Sequence, residues 1–185
     1  MQKSTNDECR ELYNFAERIL FMKQILIIRH AKSSWDNFLQ KDFDRTLNDR
    51  GMRDAPAMAK RIADIGIKID AFVSSTAVRA FTTATFFAKA YQQKTKDIIA
   101  VPELYHAGEE TFYKTIRSMD DQYDSIAIFS HNPGITNFVN TLCETKIDNM
   151  PTCGIFAVES SIDKWKDFTE DNNQFLFFDY PKNLS

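Results

Sequence analysis

Two short apolar runs in this 185-residue chain lead into a histidine: Ile25-Leu26-Ile27-Ile28 passes into Arg29-His30-Ala31, and Ile126-Ala127-Ile128-Phe129 passes into Ser130-His131-Asn132-Pro133. A continuous apolar run of this length reads as a strand buried on both faces. Strands of that kind carry the residues that follow them to the carboxyl edge of the sheet, where open α/β folds place their ligands. Two such strand ends in one chain mark a site, and the fold must bring them together.

The rest of the chain alternates strand-like runs with amphipathic helical segments, the pattern of a mostly parallel sheet covered on both faces. The expected class is therefore α/β, a three-layer α/β/α sandwich. Strands are expected at Gln24–Ile28, Ala71–Ser74, Ile98–Val101 and Ser125–Phe129. Two closing strands, Gly154–Val158 and Gln174–Phe178, are expected antiparallel at an edge. A helix capped by Asn48 turns Met52, Ala55, Ala59 and Ile62 to the sheet, and Pro56 within it predicts a kink or a later start. A second helix follows the hydroxyls of Ser74-Ser75-Thr76, with Arg79 in its first turns and Ala80, Ala84, Phe87 and Ala88 inward. A third covers Glu109–Met119, and a fourth opens at Pro133 with Ile135, Phe138, Val139 and Leu142 inward. Phe81, Phe86, Phe87 and Phe138 are expected to be core.

Residues 1–23 stand apart as an N-terminal extension. Leu12, Phe15, Ala16, Ile19 and Leu20 recur at helical spacing, whereas a domain over 24–185 is complete without them. The segment is either a docking helix or an artefact of a start upstream of Met22.

Length and composition fit one domain with one substantial core: 43% of residues are hydrophobic and 13% aromatic. The net charge of −3 argues against a general nucleic-acid binder, because nothing would neutralise a long phosphate backbone. The three cysteines, Cys9, Cys143 and Cys153, form no C-x-x-C pair and suggest a reducing, cytoplasmic setting. No stretch approaches the roughly 20 apolar residues of a membrane span, and charged residues interrupt the N-terminus where a signal peptide needs an apolar core.

Helices starting beside two strand ends aim free backbone N–H groups and positive dipole ends at one crevice, which favours an anion. Arg29 and Arg79 add guanidinium forks suited to phosphate oxygens. A neutral imidazole among those cations can attack phosphorus and become a phosphohistidine, splitting one difficult hydrolysis into two easier steps. His30 is the expected nucleophile, its other nitrogen held by a carbonyl, and His131 the expected donor to an equatorial oxygen. The bland alternatives are a histidine satisfied by backbone at a helix start for His131 and a surface salt bridge for Arg79.

These residues resemble the histidine phosphatase superfamily, also called phosphoglycerate mutase-like, and within it the small SixA-type phosphohistidine phosphatases. The matching segments are Leu26–Ser33, Asp44–Asn48 with Arg50-Gly51, Ser74–Ala80 with Thr83-Ala84, Pro102–Tyr105 and Ser130–Gly134, in the family's order. The resemblance implies a phosphoglycerate mutase-like fold, a phosphorylated nucleophile at His30, a phosphate pocket from Arg29, Arg79 and His131, and no metal or other cofactor. Ala31 stands where the superfamily more often has Gly, as is familiar in the SixA-like branch.

His106 occupies the position where many superfamily members carry an acidic proton donor. The general acid is therefore unassigned, with His106, Glu109 and Glu110 as sources of a proton. A site lacking that carboxylate suits cleavage of P–N better than P–O, since an imidazole already protonated leaves neutral whereas an alkoxide needs an acid. The expected substrate is phosphohistidine in a protein, with small phosphorylated metabolites as the alternative. Ser33 and His106 are expected to contact substrate, and Lys32, Ser33 and Ser34 either line the mouth or form a solvated loop. Asp44 and Arg45 are expected to brace that loop, and Trp35 and Phe38 to shape access. Two further classes compete: a zinc hydrolase using His30, His106 and His131, and a regulatory module that grips a phosphorylated partner without turnover.

Overall fold

The structure is a computed structural model that describes residues 22–35 and 39–183. The predicted extension helix, Cys9 and Phe38 lie outside these residues. Six strands form one sheet: β1 (Lys23–Arg29), β2 (Ala71–Ser74), β3 (Ile99–Ala100), β4 (Ser125–Ser130), β5 (Ile155–Ser160) and β6 (Asn173–Asp179). Their order is β3-β2-β4-β1-β5-β6. The first four are mutually parallel where they pair, and β5 and β6 run antiparallel at one side. The mostly parallel α/β sheet and its antiparallel edge follow the sequence pattern.

Alternation along β1 sorts the core into two layers. Ile25 and Ile27 face a cluster with Ile126, Ile128, Phe138 and Trp165, while Leu26 and Ile28 face one with Phe72, Ala127, Phe129 and Phe87. Successive side chains of a strand point to opposite faces, so an unbroken apolar run has to be covered twice. Helices α1 (Asp49–Asp64) and α2 (Val78–Ala90) cover one face; α3 (Glu109–Arg117) and α4 (Gly134–Leu142) cover the other.

Helix α1 starts as expected: the Asn48 side chain accepts from the Gly51 N–H at 3.0 Å. It departs from expectation in two ways. It does not start later for Pro56, which sits within the helix. Met52 is 48% exposed, and Gly51 and Met58 join Ala55, Ala59 and Ile62 on the buried face. The first turn lies over the loop after β1 rather than over the sheet. A Cβ at residue 51 would fall 2.1 Å from the Lys32 carbonyl oxygen, so only glycine fits between them.

Helix α2 has Ala77 at its N-cap with no side-chain cap. Ser75 Oγ instead accepts from the Ala77 N–H at 3.3 Å, so the hydroxyl cluster serves the turn rather than the cap. Pro133 is the N-cap of α4 rather than its first residue, so the helix starts at Gly134, one residue later than expected. Phe87 and Phe138 are fully buried, with Phe81 and Phe86 partly buried against the core.

Gly134 brings α4 against the Ala107 carbonyl, where an added Cβ would fall 1.8 Å from the oxygen. Gly134→Ala should therefore destabilise the protein by about 2 kcal/mol through backbone displacement, read as a lower urea midpoint at unchanged m-value. An unchanged midpoint would show that the α4 start yields freely.

Candidate active site

The parallel pairing of β1 and β4 sets Arg29 opposite Ser130. One more backbone bond, His30 N–H to Ser130 O at 3.1 Å, carries the pairing past the strand ends. His30 and His131 consequently stand side by side, ring centroids 4.9 Å apart. The start of β5 closes the third side. Cys153, at φ 60°, donates its N–H to the carbonyls of Arg29 and His30, both at 3.1 Å. That left-handed conformation is uncommon for a residue with a side chain, and here it pins the turn that carries the nucleophile candidate.

Each ring is oriented. His30 Nδ1 lies 2.7 Å from the Ala31 carbonyl oxygen, an acceptor only, so Nδ1 carries the proton and Nε2 the lone pair. Arg79 Nε donates to that Nε2 at 3.2 Å. The expected carbonyl is thus that of Ala31, whose own N–H donates to Thr83 Oγ1 at 3.0 Å. His131 Nε2 lies 2.8 Å from Ser75 Oγ. Ser75 Oγ also accepts from the Ala77 N–H, and where its own proton goes to His131 Nε2 the ring proton sits on Nδ1. His131 Nδ1 and Arg29 Nε are buried and have no partner among the described residues. Arg29 is anchored by Nη1, which donates to the Met150 carbonyl at 2.6 Å.

The sequence reading missed Asp42. Its Oδ1 accepts from Arg45 Nη1 at 2.8 Å, and its Oδ2 from Arg79 Nη2 at 2.8 Å and the Tyr105 hydroxyl at 2.7 Å. Its carbonyl accepts from Arg79 Nη1. Arg45 also donates to the Ser34 carbonyl and to Ser33 Oγ, at 2.8 and 2.6 Å, and lies over the Trp35 ring at 3.3 Å. The loop is therefore braced by Arg45, as expected, with Asp42 and not Asp44 as its anionic partner; Asp44 is exposed. Ser33 is buried rather than solvated.

These groups line a cavity of about 240 Å³. Arg29, His30, Arg79 and His131 meet there, together with Ser33 and His106, so these six residues share one pocket. Lys32 and Trp35 also line it, whereas Glu103, Glu109 and Glu110 do not. Among the described residues no group of three or more His, Cys, Asp or Glu is placed to hold a metal ion, and the three-histidine zinc arrangement is not assembled.

Burial holds both imidazoles neutral. His30 is pushed down to about 3, by burial first, then by Arg79, Arg29 and Arg45 acting against the Ala31 carbonyl. His131 is pushed down to about 2 by burial, His30 and Arg79. Burial alone would raise the Asp42 carboxyl, but Tyr105, Arg45 and Arg79 together hold it well below the usual carboxylate range.

The family model of the histidine phosphatase superfamily (branch 1) matches residues 25–107. An uncharacterised protein of Mycobacterium leprae is 27% identical over 167 residues, which cover 84% of this chain and 100% of that one. A crystal structure described as a candidate phosphohistidine phosphatase SixA from Agrobacterium tumefaciens superposes with a TM-score of 0.70 at 26% identity, covering 84% of this chain and 96% of that one. The structure of the protein histidine phosphatase SixA complexed with tungstate gives a TM-score of 0.72 at 22% identity, over 88% and 99% of the two chains. At that identity the likeness speaks for the fold. Among the described residues no helix is long and apolar enough to cross a membrane.

The depressed histidines tie stability to pH. A ring that binds a proton near 6.5 when unfolded and near 3 when folded contributes fully above pH 6.5, and its contribution is lost as pH falls toward 3. The urea midpoint should accordingly fall between pH 7 and pH 4, and the ¹⁵N imidazole signals of His30 and His131 should not titrate between pH 5 and 8. Titration of either ring near 6.5 would contradict the buried, neutral assignment.

Proposed function

We propose that the chain is a phosphatase of the histidine phosphatase superfamily, a reading supported by the match over residues 25–107 and the fold shared with SixA structures. In this reading the phosphoryl group is carried on His30 Nε2 and taken from phosphohistidine in a protein. The observation that carries it is the His30 ring, fixed by the Ala31 carbonyl with its lone pair beside Arg79. A module that only grips a phosphorylated partner has no use for a neutral, oriented imidazole at the base of a cationic pocket.

The chemistry follows from the geometry. Nε2 attacks phosphorus, the bond to the leaving group breaks with its electron pair going to that group, and His30 becomes phosphorylated with its proton still on Nδ1 and donated to Ala31 O. Water then attacks phosphorus, the P–N pair returns to Nε2, and the water proton passes to phosphate or solvent. In-line transfer spreads charge over three equatorial oxygens. In this reading Arg29 and His131, which line the same pocket, receive that charge, and Arg29 Nε and His131 Nδ1 have no partner among the described residues. Such pre-aimed donors need no reorganisation as the reaction proceeds.

The leaving group is selected by the protonated carboxyl that the pocket lacks among the described residues. Asp42 is the carboxyl group lining the cavity among the described residues, and three donors keep it ionised, so it has no proton to give an alkoxide. A phosphohistidine ring protonated at its distal nitrogen needs none. The competing reading, a phosphatase of small phosphorylated metabolites, rests on His106, whose exposed side chain lines the mouth and can supply a proton. A cytoplasmic setting belongs to the same proposal, and the free thiols of Cys143 and Cys153 are compatible with it.

Competition of a phosphohistidine peptide against sugar and nucleotide phosphates should give the peptide the highest kcat/KM; a sugar or nucleotide phosphate ahead of it would favour the metabolite reading. Arg29→Ala and Arg79→Ala should each lower the rate by at least about 100-fold. His30→Ala should remove turnover while leaving the circular dichroism spectrum unchanged, and retained turnover would refute the covalent route.

A further inference from the structure

Asp42 is an anion inside a pocket built for anions, and holding Arg79 does not exhaust it. A carboxylate offers about four acceptor positions. Arg45 fills one on Oδ1, and Arg79 and Tyr105 fill two on Oδ2. The fourth, on Oδ1, has no donor among the described residues, and the side chain is 43% exposed at the cavity.

Its depth in the pocket is set by Arg79. That guanidinium donates through Nε to His30 Nε2 at 3.2 Å and through Nη2 to Asp42 Oδ2 at 2.8 Å, so the carboxylate stands one guanidinium beyond the nucleophile. In-line transfer places the leaving nitrogen across phosphorus from Nε2. When the leaving group is an imidazole, its second nitrogen lies one ring farther out, at the level of Asp42. Aromatic rings frame that level. Tyr105 packs at a tilt against His106, ring centroids 3.9 Å apart, and meets His131 edge-on at 5.4 Å, and Trp35 lines the pocket beneath Arg45. A carboxylate flanked by aromatic faces suits a flat ring cation bearing an N–H.

Resting on the phosphohistidine reading, we infer that Asp42 is a specificity-determining residue that accepts a hydrogen bond from the distal N–H of the substrate imidazolium. As the P–N bond breaks, its electron pair passes to the leaving nitrogen while the distal nitrogen keeps its proton, and a neutral imidazole departs as the bond from phosphorus to His30 Nε2 forms. The carboxylate keeps the substrate ring protonated and oriented at pH values where the free ring loses its proton. A phosphoester has no such N–H and gains nothing from it.

The test compares a phosphohistidine peptide with an aryl phosphate, whose leaving group departs without a proton. Asp42→Asn lowers activity on both by loosening Arg79, but it should lower kcat/KM for the peptide at least about tenfold more. It should also move the alkaline limb of the peptide's kcat profile down by about one pH unit, a limb that Asp42→Glu restores. Loss by one common factor, with no movement of the limb, would show that Asp42 acts only through Arg79 and would overturn the inference alone. Wild-type turnover of the aryl phosphate without the peptide would overturn the substrate reading and the inference with it. Should Asp42→Asn fail to fold, the wild type decides: its alkaline limb must lie above the titration of the free phosphohistidine peptide followed by ³¹P NMR, and coincidence of the two would refute the role.

Discussion

The in-register parallel pairing of β1 with β4 is the constraint on which the site depends. Arg29 opposite Ser130 leaves each strand's next residue as a histidine, and the bond from His30 N–H to Ser130 O keeps the two chains together one step past the sheet. A shift of one residue in that register would send the side chains of one strand to the opposite face, and the rings could not share a pocket. The register is itself strongly fixed, because both strands are buried on both faces between two layers of helices. The same apolar runs that build the core thereby aim the chemistry.

Around this pair the protein concentrates cations while keeping the rings uncharged. Burial and the surrounding guanidinium groups act in one direction on His30, and the Ala31 carbonyl decides which nitrogen keeps the proton. Asp42 balances the cluster. By accepting from Arg45, Arg79 and Tyr105 it fixes two guanidinium planes that would otherwise repel each other. Such a pocket is prepared for a phosphoryl group before one arrives, and preparation of this kind is what electrostatic catalysis requires.

Much of this was legible in the sequence because it rests on periodicity and on residues that follow buried strands. The four parallel strands, the antiparallel edge and the inward faces of α2 and α4 are carried by apolar spacing, and Arg29, His30 and His131 follow from where the strands end. Arg79 was legible from its place at a helix start. Asp42, Ser75 and Tyr105 were not singled out. Asp42 lies in a stretch without apolar periodicity, where it opens a short 3-10 helix (Asp42–Asp44), and which of Asp42 and Asp44 turns inward depends on tertiary contacts with Arg79 and Tyr105, distant in sequence. Met52 misled for a related reason: helical spacing places it on the inward face, but the first turn of α1 overhangs a loop instead of the sheet.

The central claim is that His30 Nε2 carries the phosphoryl group, and rapid-quench trapping tests it most directly. A labelled phosphodonor mixed with the enzyme and stopped in alkali should leave an acid-labile phosphoryl group that mass spectrometry maps to His30, forming and decaying at rates consistent with turnover. Steady-state hydrolysis with no phosphoenzyme at any quench time, or label on a residue other than His30, would contradict the account.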